Sequence, residues 1–194
     1  MQTKNPLNEL KNVDLSHLSK QEAKEFTLLL EELELREKRE TSIGTFYEFV
    51  KNIWPEFIAG SHHKKMAEAF DKIAEGESKR LIINMPPRHT KSEFASYLFP
   101  AYLLGKRPKL KIIEATHTAD LAINFGRRVR DLIESDEYAD LFPKTQLKAD
   151  SRSAGKWLTS QGGEYYASGI GGALAGRGAD LFIIDDPHSE QDAF

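Results

Sequence analysis

The sequence predicts an α/β protein whose strands form a mostly parallel sheet with helices packed against it, and three observations carry that expectation. Short apolar runs, "RLIIN" at 80–84, "KIIEA" at 111–115 and "LFII" at 181–184, have the length of buried strands and are bounded by charged or turn residues. Segments with apolar residues at three-to-four spacing lie between and after them, and strand, helix, strand, helix is the order that parallel pairing requires. The 194 residues, 40% hydrophobic and 29% charged, suffice for one well-buried core, and no run nears the roughly 20 apolar residues that cross a bilayer.

Taken in order, "SKQEAKEFTLLLEELELREKRE" at 19–40 has strong helix formers, no glycine or proline, and Phe26, Leu29, Leu30 and Leu33 on one face; "SIGT" at 42–45 should end it. Residues 45–52 read as a short helix and Trp54-Pro55 as an irregular link. "HHKKMAEAFDKIAEG" reads as a helix with Met66, Ala69, Phe70 and Ile73 sharing a face and Gly76 as its stop. A buried strand is expected at 80–84. "MPPRHT" then leads into a helix at 91–104 that Pro100 kinks or divides. A strand at 111–115 and a helix at 118–134, with Leu121, Phe125, Val129 and Leu132 turned inward, come next. "KWLTSQGGEYYAS" reads as two short strands around Gln161-Gly162-Gly163, and the glycine-rich "GIGGALAGRGAD" leads into the last strand. This organisation divides the chain into an N-terminal helical segment, 1–45, and a main domain, 46–194.

Composition excludes several classes of function. There is no cysteine, so disulfides and thiolate metal sites are ruled out, and "MQTKNPLNELKNVDLSHLSK" lacks the apolar centre of a secretion signal, which fits a cytoplasmic setting. A net charge of −3 gives no global basic field, so any nucleic-acid binding would need help from other domains or subunits.

The chemistry concentrates in two places. "MPPRHTKS" stands where the phosphate-loop pattern G-x-x-x-x-G-K-[ST] would end in Lys91-Ser92, with Met85 and Thr90 at the glycine positions. A triphosphate site asks for backbone N–H groups at a helix start, a lysine for the β- and γ-phosphates and a hydroxyl for magnesium, and this loop has all three. Pro86 and Pro87 supply no N–H, so the cradle falls to Arg88 through Ser92, and Thr90 is expected to serve with negative φ. The alternative is that Lys91-Ser92 merely begins a surface helix. The second place, "LFIIDD", ends an apolar strand in Asp185 and Asp186, and two carboxylates there are costly unless they meet a cation.

In order along the chain, "RLIINMPPRHTKSEFASYLFPAYLLG", "ATHTADLAINFGRRVRDLI" and "GGEYYASGIGGALAGRGADLFIIDDPHSEQDAF" resemble the N-terminal ATPase domain of the large terminase subunit of tailed bacteriophages. The resemblance runs from about Phe46 to the end and implies a P-loop NTPase fold of the ASCE, RecA-like type. It also implies an ATP- and Mg2+-dependent hydrolase that packages double-stranded viral DNA into a procapsid. Loop residues Pro87, Arg88, His89, Thr90, Lys91 and Ser92 would contact the nucleotide, with Lys91 on the β- and γ-phosphates. Ser92 and Asp185 would manage Mg2+ in Walker A and Walker B roles, and Asp186 would be the catalytic carboxylate. Arg88 or Arg177 would supply positive charge to the transition state, with Arg127, Arg128 and Arg130 as further sources. Trp54, Phe57 and His62 would border the adenine. His62-His63 as a metal site has no third ligand in view.

Two residues depart from the family's pattern: Thr90 stands for glycine and Asp186 for the commoner glutamate. The resemblance further implies an N-terminal fragment without the family's nuclease domain and a gap or abnormal closure of the central sheet between 80–84 and 181–184; activity is expected in spite of the two departures, with inactivity of the isolated fragment, binding without turnover, as the alternative. Implied partners are double-stranded DNA bound without sequence preference, the portal protein, the small terminase subunit and further copies in a ring, in the host cytoplasm. Two competing functions stay open: a module that binds nucleotide without hydrolysing it, and a helicase, for which no second RecA-like domain is visible.

Overall fold

The computed structural model describes residues 10, 13, 17–172 and 174–189, with Arg152 described by its backbone alone. Most of the expected N-terminal segment before residue 17, Ala173 of the glycine-rich loop, and residues 190–194 lie outside the described residues. Helices pack on a five-stranded mixed sheet, an α/β architecture.

Helix α1 (Lys20–Gly44) opens on a capping box: Ser19 Oγ accepts from the Glu22 N–H and Glu22 Oε2 accepts from the Ser19 N–H, at 3.3 and 2.8 Å. It runs on through the "SIG" expected to end it, and stops only where Thr45 turns extended to cap α2 (Phe46–Ile53). The face expected to be buried is largely open, Leu29 and Leu33 being 58% and 42% exposed. Only its last turns are held, by buried Ser42 and by Arg39 Nε donating to the Asp140 carbonyl at 2.6 Å.

Helix α3 (Ser61–Glu75) buries Met66, Ala67, Phe70 and Ala74 and closes at Gly76, whose φ of +80° gives the left-handed turn that glycine adopts without strain. Phe46 is fully buried at the centre of the core, with the rings of Phe70, Phe94, Phe99 and Tyr102 at 5.2 to 5.5 Å. This aromatic cluster fastens α2 and α3 to the helix that follows the Lys91 loop.

That helix starts in α form at Lys91 and passes through a π-helical segment (Glu93–Leu98) into α4 (Phe99–Lys106). The Phe99 N–H bonds to the Phe94 carbonyl, five residues back rather than four. Pro100 is the physical reason: it brings no N–H for the carbonyl four residues before it, and the wider register takes up the break. The kink expected at proline is thus a change of helical register upstream of it.

Strand β1 (Lys111–Thr116) is followed by α5 (Ala119–Ile133), α6 (Asp136–Leu141), β2 (Leu147–Arg152), β3 (Lys156–Thr159), β4 (Glu164–Gly169) and β5 (Leu181–Asp185); the sheet order is β2-β3-β4-β1-β5, with β1 between β4 and the edge strand β5. β1 pairs in parallel with β4 and β5, whereas β3 pairs antiparallel with both β4 and β2, so the sheet is less parallel than expected. The hairpin at Gly162 is the cause, since a short turn joins only antiparallel strands. On α5, Ala122, Phe125, Val129 and Leu132 are buried, but Leu121 is 41% exposed, because Ala122 takes the inward position. The buried Trp157 ring stacks on Tyr165 at 4.9 Å and its Nε1–H donates to the Gly126 carbonyl, binding α5 to the hairpin.

Residues 80–84 do not form the buried strand expected of them. They pair with no strand, and Ile82 is 85% exposed, although Ile83 and Met85 pack against the core. The reason is that the one edge they could join is not beside them. A cavity of about 860 Å3, lined on one side by Arg80, Leu81, Ile82 and Ile83 and on the other by β5, separates the two. No strand among the described residues fills it.

Candidate active site

The parallel strands β1 and β5 end side by side, Thr116 opposite Asp185, and the Lys91 loop meets them there. The carboxyl ends of parallel strands are where α/β sheets bind ligands. Lys91 Nζ donates to Asp186 Oδ1 and lies 3.3 Å from Asp185 Oδ1. Burial alone would push the Lys91 ammonium down, but the two carboxylates outweigh it and hold the pKa above the ordinary lysine value. Asp185 is almost fully buried while the Asp186 side chain is 67% exposed, so one carboxylate is fixed in the floor and the other stands at the rim.

Ser96 fixes the floor carboxylate, its Oγ donating to Asp185 Oδ2 at 3.0 Å. Behind it, Glu114 of β1 is fully buried with Oε1 unpartnered, and the Tyr165 hydroxyl reaches Oε2 at 3.4 Å. Burial pushes the Glu114 carboxyl well above its ordinary pKa; Ser96 and Tyr165 pull it down and the charge of Asp185 adds to the rise.

The loop itself is left-handed where the pattern has glycine. Thr90 has φ of +61° and Arg88 +62°, and Asp186 follows β5 at +43°. The expectation that Thr90 would serve with negative φ is therefore corrected: the position keeps the backbone that glycine favours, in a β-branched residue, and such departures collect at functional sites. The Phe94 N–H is bonded to the Thr90 carbonyl at 3.0 Å, so the helix begins at the loop and aims its first amides toward the loop mouth. His89 Nδ1–H donates to the Pro87 carbonyl at 2.9 Å, a bond within the loop.

Beside the loop, Trp54 and Phe57 lie 5.4 Å apart, Phe57 and His63 4.7 Å, and His62 sits 3.8 Å from His63 and 5.9 Å from His89. His62 Nε2 is buried without a partner. Trp54, Phe57 and His62 thus lie in one chain of ring contacts that passes through His63, with Trp54 and Phe57 also packed against the core, and no group of three metal-ligating side chains forms among the described residues.

The arginines divide. Arg88 stands exposed on the loop. Arg177 lies over the Tyr166 ring at 3.7 Å and near Glu164, which pairs with Lys111 at the far end of β1. That end is about 16 Å from Asp185 at the rise of a strand, so Arg177 is not brought to the carboxylates. Arg128 forks onto Glu93, with its guanidinium 4.2 Å over Tyr97, and Arg130 pairs with Asp131.

Sequence reasoning missed Ser96 and Glu114 and considered His63 only as half of a histidine pair, and each had a signal. Glu114 is the one carboxylate inside "KIIEAT", Ser96 follows Ser92 by one helical turn, and His63 continues the buried series of Met66 and Phe70. Among the described residues no helix is long and apolar enough to cross a membrane. No protein-family model, no curated protein and no solved structure matches this chain.

Proposed function

We propose that the chain is a P-loop ATPase, the N-terminal motor domain of a terminase-like DNA-packaging protein. The observation that carries this reading is the meeting of Lys91 with Asp185 and Asp186 at the carboxyl ends of β1 and β5. Lys91 would leave its carboxylates for the β- and γ-phosphates, the loop from Pro87 to Ser92 would bind them through its amides, and Trp54 and His62 would border the adenine. Asp186, exposed at the rim, would orient the attacking water and take its proton. Arg88 would reach the transferred phosphoryl group.

The donor set fits magnesium, a hard ion that takes one or two carboxylates and fills its remaining positions with water and substrate phosphate. Asp185, steadied by Ser96, and Ser92 would hold it. When bound, Mg2+ neutralises charge on the β- and γ-phosphates. Double-stranded DNA, portal protein, small terminase subunit and ring assembly enter on the sequence resemblance.

One observation favours the second reading, a module that binds nucleotide without hydrolysing it: Asp186 is short and engaged by Lys91. Mg-ATP binding and phosphate release, measured together, decide between the two. Lys91→Ala should abolish binding, and Asp186→Asn should abolish turnover while binding persists. Binding without turnover in the unaltered chain supports the second reading, and no binding at all overturns both.

A further inference from the structure

His63 joins the start of α3 to the Lys91 loop through hydrogen bonds at both of its ring nitrogens. Its Nδ1 accepts the Gly60 N–H at 2.8 Å and its Nε2 lies 2.6 Å from Thr90 Oγ1. A backbone N–H only donates, so Nδ1 carries no proton and Nε2–H is the donor to Thr90. The Thr90 hydroxyl then passes its own proton on, donating to the His89 carbonyl at 2.6 Å. Every link in this series has one direction. The imidazole is buried between Phe57 at 4.7 Å and Phe94 at 5.4 Å, which leaves the ring little room to turn.

Thr90 needs such a hold. A β-branched residue at φ of +61° is sterically costly, and left-handed backbone of this kind persists only where its surroundings over-determine it. A glycine would take the same φ freely, with no side chain to anchor. We infer that His63 is a positioning residue for the Lys91 loop, replacing the conformational freedom of glycine with a side-chain anchor from α3. The inference rests on the nucleotide reading for its consequence, because Thr90 is the residue before Lys91 and sets the direction in which the helix and its lysine start. The anchor also makes the loop answerable to α3: whatever shifts Gly60 or the first turn of that helix shifts the phosphate cradle.

The test is a thermodynamic cycle in the full chain with His63→Ala, Thr90→Val, Thr90→Gly and the His63→Ala/Thr90→Gly pair. Two measurements are made: amide hydrogen exchange over 88–92 without nucleotide, and the Mg-ATP KM and kcat. His63→Ala and Thr90→Val should each speed loop exchange and raise KM about fivefold to tenfold, the loss of one well-formed hydrogen bond, with kcat changed much less. In the Thr90→Gly background, His63→Ala should change neither, because glycine needs no anchor. Equal effects of His63→Ala in the two backgrounds would overturn the inference, as would unchanged exchange in Thr90→Val, a variant that keeps the side-chain shape. If Mg-ATP binds to no form of the protein, the function reading fails, and the exchange cycle still decides whether His63 holds the loop.

Discussion

Lys91 and Asp186, 95 residues apart in sequence, are joined by a hydrogen bond that also brings the lysine within 3.3 Å of Asp185. One ammonium holds together two adjacent carboxylates that would otherwise repel. Lys91→Met should therefore lower stability, by about 1–3 kcal/mol, because the buried Asp185 keeps only Ser96 as a partner. Adding Asp185→Asn should recover most of the loss. Urea unfolding of the three forms checks this, and a Lys91→Met variant as stable as the parent would mean that the pair is solvated.

Glu114 gives the fold a pH dependence of unusual sign for a carboxylate. Its folded pKa is raised by burial, so the native state holds a proton that the unfolded chain releases. Its contribution is present below the ordinary glutamate value near 4.5 and is lost as pH rises toward the folded pKa. Glu114→Gln keeps the shape and removes the charge. Its melting temperature at pH 8 should exceed that of the parent by a few degrees, with the difference shrinking toward pH 4.

The His63 imidazole runs the other way. Burial lowers its pKa, and His62 and His89 lower it further. The unfolded state therefore binds the extra proton, and stability from this group is present above the ordinary value of 6.5 and lost as pH falls through the folded value. A protonated ring has no acceptor for the Gly60 N–H. Imidazole resonances followed by NMR should titrate below 6.5, and Gly60 should lose its amide protection in the same range.

Arg128 tests the distinction between a structural and a transition-state arginine. Its fork on Glu93 and its place over Tyr97 hold α5 against the helix that follows the loop. Arg128→Ala should cost about 1–2 kcal/mol of unfolding free energy while leaving the Mg-ATP KM within about twofold. On the proposed ATPase reading, Arg88→Ala should do the reverse, slowing turnover by orders of magnitude at little cost in stability. Paired unfolding and steady-state assays separate the two.

Where periodicity and capping chemistry act locally, the sequence was a good guide. The helix closing at Gly76 and the hairpin around Gly162 were legible, since each depends on a short run, and the need of the "LFIIDD" carboxylates for a cation was legible too, though not that Lys91 is the cation they meet. Residues 80–84 were misread because an apolar run signals a strand only if a neighbour offers hydrogen bonds, and that neighbour is across a cavity. The sign of φ at Thr90 was misread because residue identity argues against it, and the opposing force, a histidine 27 positions earlier, leaves no local trace. Leu121 and Ala122 exchanged places on α5 for a simpler reason: both are apolar, and helical spacing does not separate neighbours at the edge of a stripe.

The cavity beside β5 has a consequence for how the protein behaves at concentration. One rim of the sheet keeps its N–H and C=O groups free of any strand among the described residues, and Phe182 and Ile184 flank it, 51% and 54% exposed. Sheet rims left without a paired strand recruit strands from other molecules. The chain should scatter more light as it is concentrated, well below its melting temperature, and Ile184→Lys should suppress the effect without weakening the core. Colloidal shelf life would then be governed by five residues at the sheet's margin rather than by the folding free energy of the whole.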